Sequence, residues 1–150
     1  MEVIPPPTKD AYTIEDFDSL GFHDSEVYGL SWKQESEYVW SLSFDIDYIF
    51  RWDRVGDRFR FWVSPCVLSF SDLGETKIEL GCSGPVLEQQ LDKIIREKSP
   101  DSQNDYVVWR WLLDFHDLGG PKASAVIDSH GFEMRVLRTP VMSESQSLGR

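Results

Sequence analysis

The stretch YVWSLSFDIDYIFRW, residues 38–52, alternates between apolar and polar side chains with a period of two. Trp40, Leu42, Phe44, Ile46, Tyr48, Phe50 and Trp52 fall on one parity. Ser41, Ser43, Asp45, Asp47 and Arg51 fall on the other, interrupted by Val39 and Ile49. Successive side chains of a strand point to opposite faces, so the pattern predicts a long antiparallel strand with one face in a core. The next residues, DRVG, read as a turn into DRFRFWVS. Pairing Trp52 with Asp57 sets Phe50 opposite Phe59, Tyr48 opposite Phe61 and Ile46 opposite Val63, with the apolar sets on one face. Pro65 cannot donate to a ladder and predicts an edge, bulge or bend, after which Leu68 and Phe70 resume on the other parity.

The remaining segments follow the same two periods. Residues 1–11 are Pro-rich and read as extended. YTIEDFDSLG predicts a short helix with Thr13 as cap and Gly21 as stop. After GFHD, the residues Tyr28, Leu30 and Trp32 share one face of a strand. Ile78, Leu80 and Cys82 suggest another. SGPVLEQQLDKIIREKSP predicts a second helix, with Leu87, Leu91, Ile94 and Ile95 as its stripe. YVVWRWLLDF alternates again, and ASAVIDSHGFEMRVLR reads as a hairpin pairing Ile127 with Phe132 and Ala125 with Met134. The expected fold is α+β: a mostly antiparallel sheet, a curved or partly closed barrel or sandwich of about seven or eight strands, with two covering helices. Residues 12–140 are expected to form one globular domain, with 141–150 a solvated C-terminal tail.

The chain of 150 residues has 15 basic and 26 acidic side chains and a formal net charge of −11. Such a surface repels phosphate backbones and anionic lipid, which argues against nucleic acid and membrane partners and favours a basic protein. No apolar run reaches the ~18–20 residues of a membrane span. MEVIPPPTKD has neither the basic nor the apolar region of a signal peptide, so a cytoplasmic chain with free Cys66 and Cys82 is expected. The two Cys and three His show no CxxC or HExxH spacing, so no metal site and no cofactor are expected.

Five residues are candidates for binding. His23 and Asp24 precede Ser25, but neighbours in an extended segment point to opposite faces and cannot form a triad among themselves. They read as a helix-to-strand junction that satisfies backbone groups. FHD occurs twice, at 22–24 and 115–117, a recurrence that chance allows in a chain of this length. Asp45 and Asp47 share a strand face with Cα atoms about 6.5–7 Å apart, and suit a divalent cation or an acid–base pair. Arg51, Arg58 and Arg60 would instead make them a surface ion-pair network. Trp62, with Tyr38, is expected as an exposed aromatic for sugar stacking or protein binding. His116 and His130 read as turn residues, and Cys82 as core.

GFHDSEVYGL, FDIDYIFRW, FWVSPCVLSF and the closing HGFEMRVLRTP with SQSLGR together resemble a family of small uncharacterised bacterial proteins. The resemblance spans roughly residues 20–150 and rests on strand patterns. It implies a bacterial origin and a single domain, and no activity or catalytic residue. A weaker likeness, in size and acidity, is to immunity proteins of toxin systems. The leading expectation is a non-catalytic interaction protein, an acidic immunity-type chain that binds a basic partner. The alternative is a divalent-cation-dependent hydrolase or ligand-binding protein using Asp45, Asp47 and His23.

Overall fold

A computed structural model describes residues 4–79, 89–116 and 123–150. Its strands are β1 (Ala11–Thr13), β2 (Ser25–Ser36), β3 (Val39–Val55), β4 (Arg58–Glu79), β5 (Gln89–Lys98), β6 (Trp109–Phe115), β7 (Ser124–Val136) and β8 (Val141–Ser143). The antiparallel ladders β2–β3, β3–β4, β4–β7, β7–β6, β6–β5 and β5–β2 follow one another around a ring. The ring is partly closed, because β5 and β2 share only Ser25↔Leu91, Glu26↔Gln90 and Val27↔Gln89. β1 adds to β7 and β8 to β4. Among the described residues no helix is long and apolar enough to cross a membrane.

The interior is filled as the alternation of β3 dictates. Leu42, Phe44, Ile46 and Tyr48 are buried, and Leu68, Phe70, Leu91, Trp111, Leu113, Ile127 and Met134 meet them from the other strands. Ile14–Ser19 is a single 3₁₀ segment that drops Phe17 into the core. The Phe17 ring lies edge-on to Trp111 at 5.0 Å and to Phe132 at 5.5 Å.

The fold is more nearly all-β than expected, and among the described residues the two covering helices are not found. The first is the short 3₁₀ segment. Over its described part, the second is strand β5. Leu91 and Ile94 have the three-residue spacing of a helix face, but a bulge between Leu91 and Lys93 gives a strand the same spacing. Residues 80–88, with Leu80, Cys82 and Leu87, lie outside the described residues. The expected hairpin at 123–138 is the single strand β7, in which Ile127 faces Thr76 and Phe132 faces Phe70, both on β4. Gly131 does not turn the chain. A Cβ there would meet Ser71 Oγ at 2.0 Å, so the glycine admits a close neighbour on β4.

The β3–β4 register is also corrected. Gly56 and Asp57 form the loop, with Gly56 at φ +66° and Val55 facing Arg58, so Trp52 pairs with Phe61. A bulge between Ile49 and Arg51 reverses the facing of β3 beyond it. No register shift falls at Pro65 on the β3 side; on its other side Pro65 lies between the β8 ladder, which ends at Val63, and the β7 ladder, which begins at Cys66. Phe61 and Val63 therefore join Ile49 and Leu148 in a second apolar cluster on the outside of the sheet. Trp62 is pulled inward to 4% exposure, where Nε1–H donates to Asp53 at 2.9 Å and Arg51 stacks on its ring. It is not the exposed anchor that the alternation predicted.

Candidate functional site

Three strand ends meet in one row. Ser25 of β2 pairs with Leu91 of β5, and Leu91 pairs with Phe115 of β6. The residue before Ser25 and the residue after Phe115 thus lie on either side of β5. Asp24 N–H donates to the Leu91 carbonyl at 2.9 Å, and His116 N–H donates to the Gln90 carbonyl at 2.8 Å. The β5 bulge falls at Asp92, beside the same row. Phe115 ends β6 with its ring inward and His116 follows at the rim, whereas Phe22 and His23 stand in a turn closed by Ser25 N–H to the Phe22 carbonyl at 3.1 Å. Phe22 and Phe115 are both buried, and the His23 and His116 rings are 5.0 Å apart. The Phe-His pairs of the two FHD triplets are brought together by topology. Asp117 lies outside the described residues.

Asp24 sits between the imidazoles. Its Oδ1 is 2.8 Å from His116 Nε2, and its Oδ2 is 3.3 Å from His23 Nε2. Gln146 Nε2–H donates to the same Oδ2 at 2.7 Å. Asp92 Oδ1 is 3.0 Å from His23 Nδ1. A carboxylate only accepts, so this bond places the His23 proton on Nδ1 and leaves the Nε2 lone pair facing Asp24 in the neutral ring. His116 Nε2 is buried and makes no hydrogen bond, although Asp24 Oδ1 is close; the contact is short without donor alignment. Asp24 also holds φ at +64°, a left-handed conformation that costs a non-glycine residue roughly 1 kcal/mol.

These atoms are gathered closely enough to be candidate ligands of a cation. Ligand atoms from His23, Asp24 and His116 lie within 4.8 Å of each other. Metal bonds of about 2.0–2.1 Å set the donor atoms of one ion about 2.9–3.4 Å apart; the 2.8 and 3.3 Å separations here run to different oxygens of Asp24. Asp92 behind His23 is the usual carboxylate–histidine support of such a site. The set of two imidazoles and one carboxylate fits zinc or another first-row divalent ion better than calcium or magnesium. His23 remains open to water and stacks offset on Trp52 at 6.4 Å.

The other two candidates form a separate constellation on the outer face of β3. Asp47 is wholly buried, and Asp45 is partly exposed. Their cation is Arg150, not Arg51, Arg58 or Arg60. Arg150 Nη1 and Nη2 donate to Asp45 at 3.1 and 2.7 Å, Nε donates to Asp47 at 2.9 Å, and Nη2 also reaches the Ile46 carbonyl at 3.0 Å. Tyr28 Oη–H donates to Asp47 at 2.5 Å and lays its ring against the guanidinium at 4.4 Å. Burial opposes the charge on Arg150, but the bonds to Asp45 and Asp47 prevail and hold it more firmly protonated than an ordinary arginine. Asp45 and Asp47 therefore do not join His23 in one site. Sequence reasoning missed His116 and Gln146 as partners of Asp24 and Asp92 as the partner of His23, and the repeated FHD triplet was the available signal. No protein-family model, curated protein or solved structure matches this chain.

Proposed function

We propose that this chain is a divalent-metal protein, its centre formed by His23 Nε2, His116 Nε2 and the Asp24 carboxylate. This is the cation-dependent reading, with the ligands moved from Asp45 and Asp47 to Asp24 and His116. The observation that carries it is the buried, unbonded His116 Nε2 held 2.8 Å from Asp24 Oδ1. Three protein ligands leave a position for water or an oxygen ligand, the arrangement of sites that act on a ligand rather than brace a fold. Metal-assisted hydrolysis or metal-dependent ligand binding is the matching class, since the ion would polarise the oxygen it holds.

The test is calorimetric titration of chelator-treated protein with zinc. The expected result is saturable one-to-one binding that His116→Ala weakens at least tenfold. Binding should also weaken on acidification, because protons compete for both imidazoles. Absence of saturable binding, or equal binding by His116→Ala and wild type, overturns the reading. A second reading, an acidic immunity-type protein binding a basic partner, is supported by Leu30, Trp32 and Tyr38, which are 40%, 50% and 83% exposed on β2 and the β2–β3 turn. On that reading complex formation weakens as salt rises, and Trp32→Ala weakens it at every salt concentration.

A further inference from the structure

Residues 144–150 run from one constellation to the other. Gln146 donates to Asp24 of the candidate metal centre. Leu148 N–H donates to Asp47 Oδ2 at 2.7 Å, while its side chain packs on the Ile49, Phe61 and Val63 cluster. Gly149 N–H donates to Tyr28 Oη at 3.2 Å, and Arg150 fills the site made by Asp45, Asp47, Tyr28 and the Ile46 carbonyl. That site is complete for a guanidinium. It offers a carboxylate in fork-to-fork geometry, a second and buried carboxylate, a carbonyl and an aromatic face. An ammonium could not match it.

We propose that this segment is a latch for the metal centre: Arg150, seated in a guanidinium receptor of Asp45, Asp47 and Tyr28, fixes the strap that holds Gln146 on Asp24. The inference rests on the metal reading above and adds to it the control of that centre. Gln146 is a positioning residue. Its amide occupies one lone pair of Asp24 Oδ2 and sets the carboxylate plane, leaving Oδ1 toward His116. Four residues of extended chain span at most about 13–14 Å, so seating Arg150 confines Gln146 near Asp24 and raises its effective concentration there. Bonds that orient a ligating carboxylate are typically worth 10–100-fold in metal affinity.

The experiment is competition for zinc between the full chain and a chromophoric chelator. Gln146→Met keeps the side-chain length and removes the donor. It should weaken zinc binding about 10–100-fold. Arg150→Lys keeps the charge but not the fork, and should weaken binding in the same direction. The double variant should bind no more weakly than Gln146→Met alone, because both changes remove one bond to Asp24. A cooperative melt establishes that each variant is folded. If Arg150→Lys does not fold, Tyr28→Phe, which unties Asp47 and Gly149, replaces it with the same expectation. Folded latch variants with wild-type zinc affinity, or a double variant whose losses multiply, overturn the latch and leave the metal centre standing. A wild-type chain that takes no zinc overturns both.

Discussion

Replacing Arg150 by alanine tests the energetics of the outer face directly. Asp47 is wholly buried and has three donors: Tyr28 Oη–H at 2.5 Å, Leu148 N–H at 2.7 Å and Arg150 Nε–H at 2.9 Å. Removing the cation leaves a buried carboxylate with two neutral donors. Stripping the partner from a buried charge costs about 3–5 kcal/mol. The Arg150 side chain is 31% exposed and that of Asp45 is 46% exposed, so water enters the vacated site and the lower end, about 3 kcal/mol, applies. Asp45→Asn should cost about 1 kcal/mol or less, because that carboxylate already faces solvent. Asp47→Asn removes the charge that Arg150 compensates, so combining it with Arg150→Ala should cost about 1–3 kcal/mol less than the two single changes added. Urea unfolding followed by circular dichroism reads all four differences, with unchanged slopes showing that the same surface unfolds. An Arg150→Ala chain within about 0.5 kcal/mol of wild type would refute the claim that Asp47 depends on this cation. So would an Asp45→Asn cost as large as that of Arg150→Ala.

Two further outcomes are expected. Phe17→Ala should lower stability by about 3–5 kcal/mol in urea unfolding, because it empties the space facing Trp111 and Phe132; a change below about 1 kcal/mol would mean that the 3₁₀ segment is not part of the core. Stability should also fall in alkali. Burial pushes the Tyr48 hydroxyl and the Cys66 thiol up to about 12, so both hold their protons in the folded chain after the unfolded chain has released them. Their contribution is complete below the unfolded values and is lost as pH rises toward about 12, with about 2–3 kcal/mol from Tyr48. Tyr48→Phe should flatten that decline in unfolding titrations across alkaline pH, and an identical decline in the variant would remove Tyr48 as a cause.

The inner face of β3 was legible because it depends on one physical rule, the alternation of side chains along a pleated chain. Leu42, Phe44, Ile46 and Tyr48 needed nothing else to be placed. Bulges were not legible, since one extra residue costs little locally and leaves no composition signal. The bulge at Phe50 reversed the facing of Trp52, and the β5 bulge gave Leu91 and Ile94 a helical spacing. Asp45 and Asp47 were correctly set on the face away from the core, but their partner was not legible. Arg150 lies 105 and 103 residues away in sequence, and periodicity says nothing about contacts at that range.

The candidate centre shows how topology supplies what spacing lacks. Metal motifs legible in sequence use neighbours on one turn or loop, and this chain has none. Its two imidazoles come instead from the start of β2 and the end of β6, on either side of β5. The same dipeptide occupies both places, in the turn before β2 and at the end of β6, and each puts its ring in the core. Phe22 and Phe115 make the core contacts, and the convergence of His23 and His116 follows from theirs. Asp24 contacts both imidazoles, and it does so in a backbone conformation that glycine would adopt without strain. A junction serving only the backbone gains nothing from a carboxylate there, because Leu91 already receives the Asp24 N–H whatever the side chain. The carboxylate matters to His23, His116 and Gln146, and a divalent ion shared by the two imidazoles and Asp24 would answer their charge and their lone pairs together.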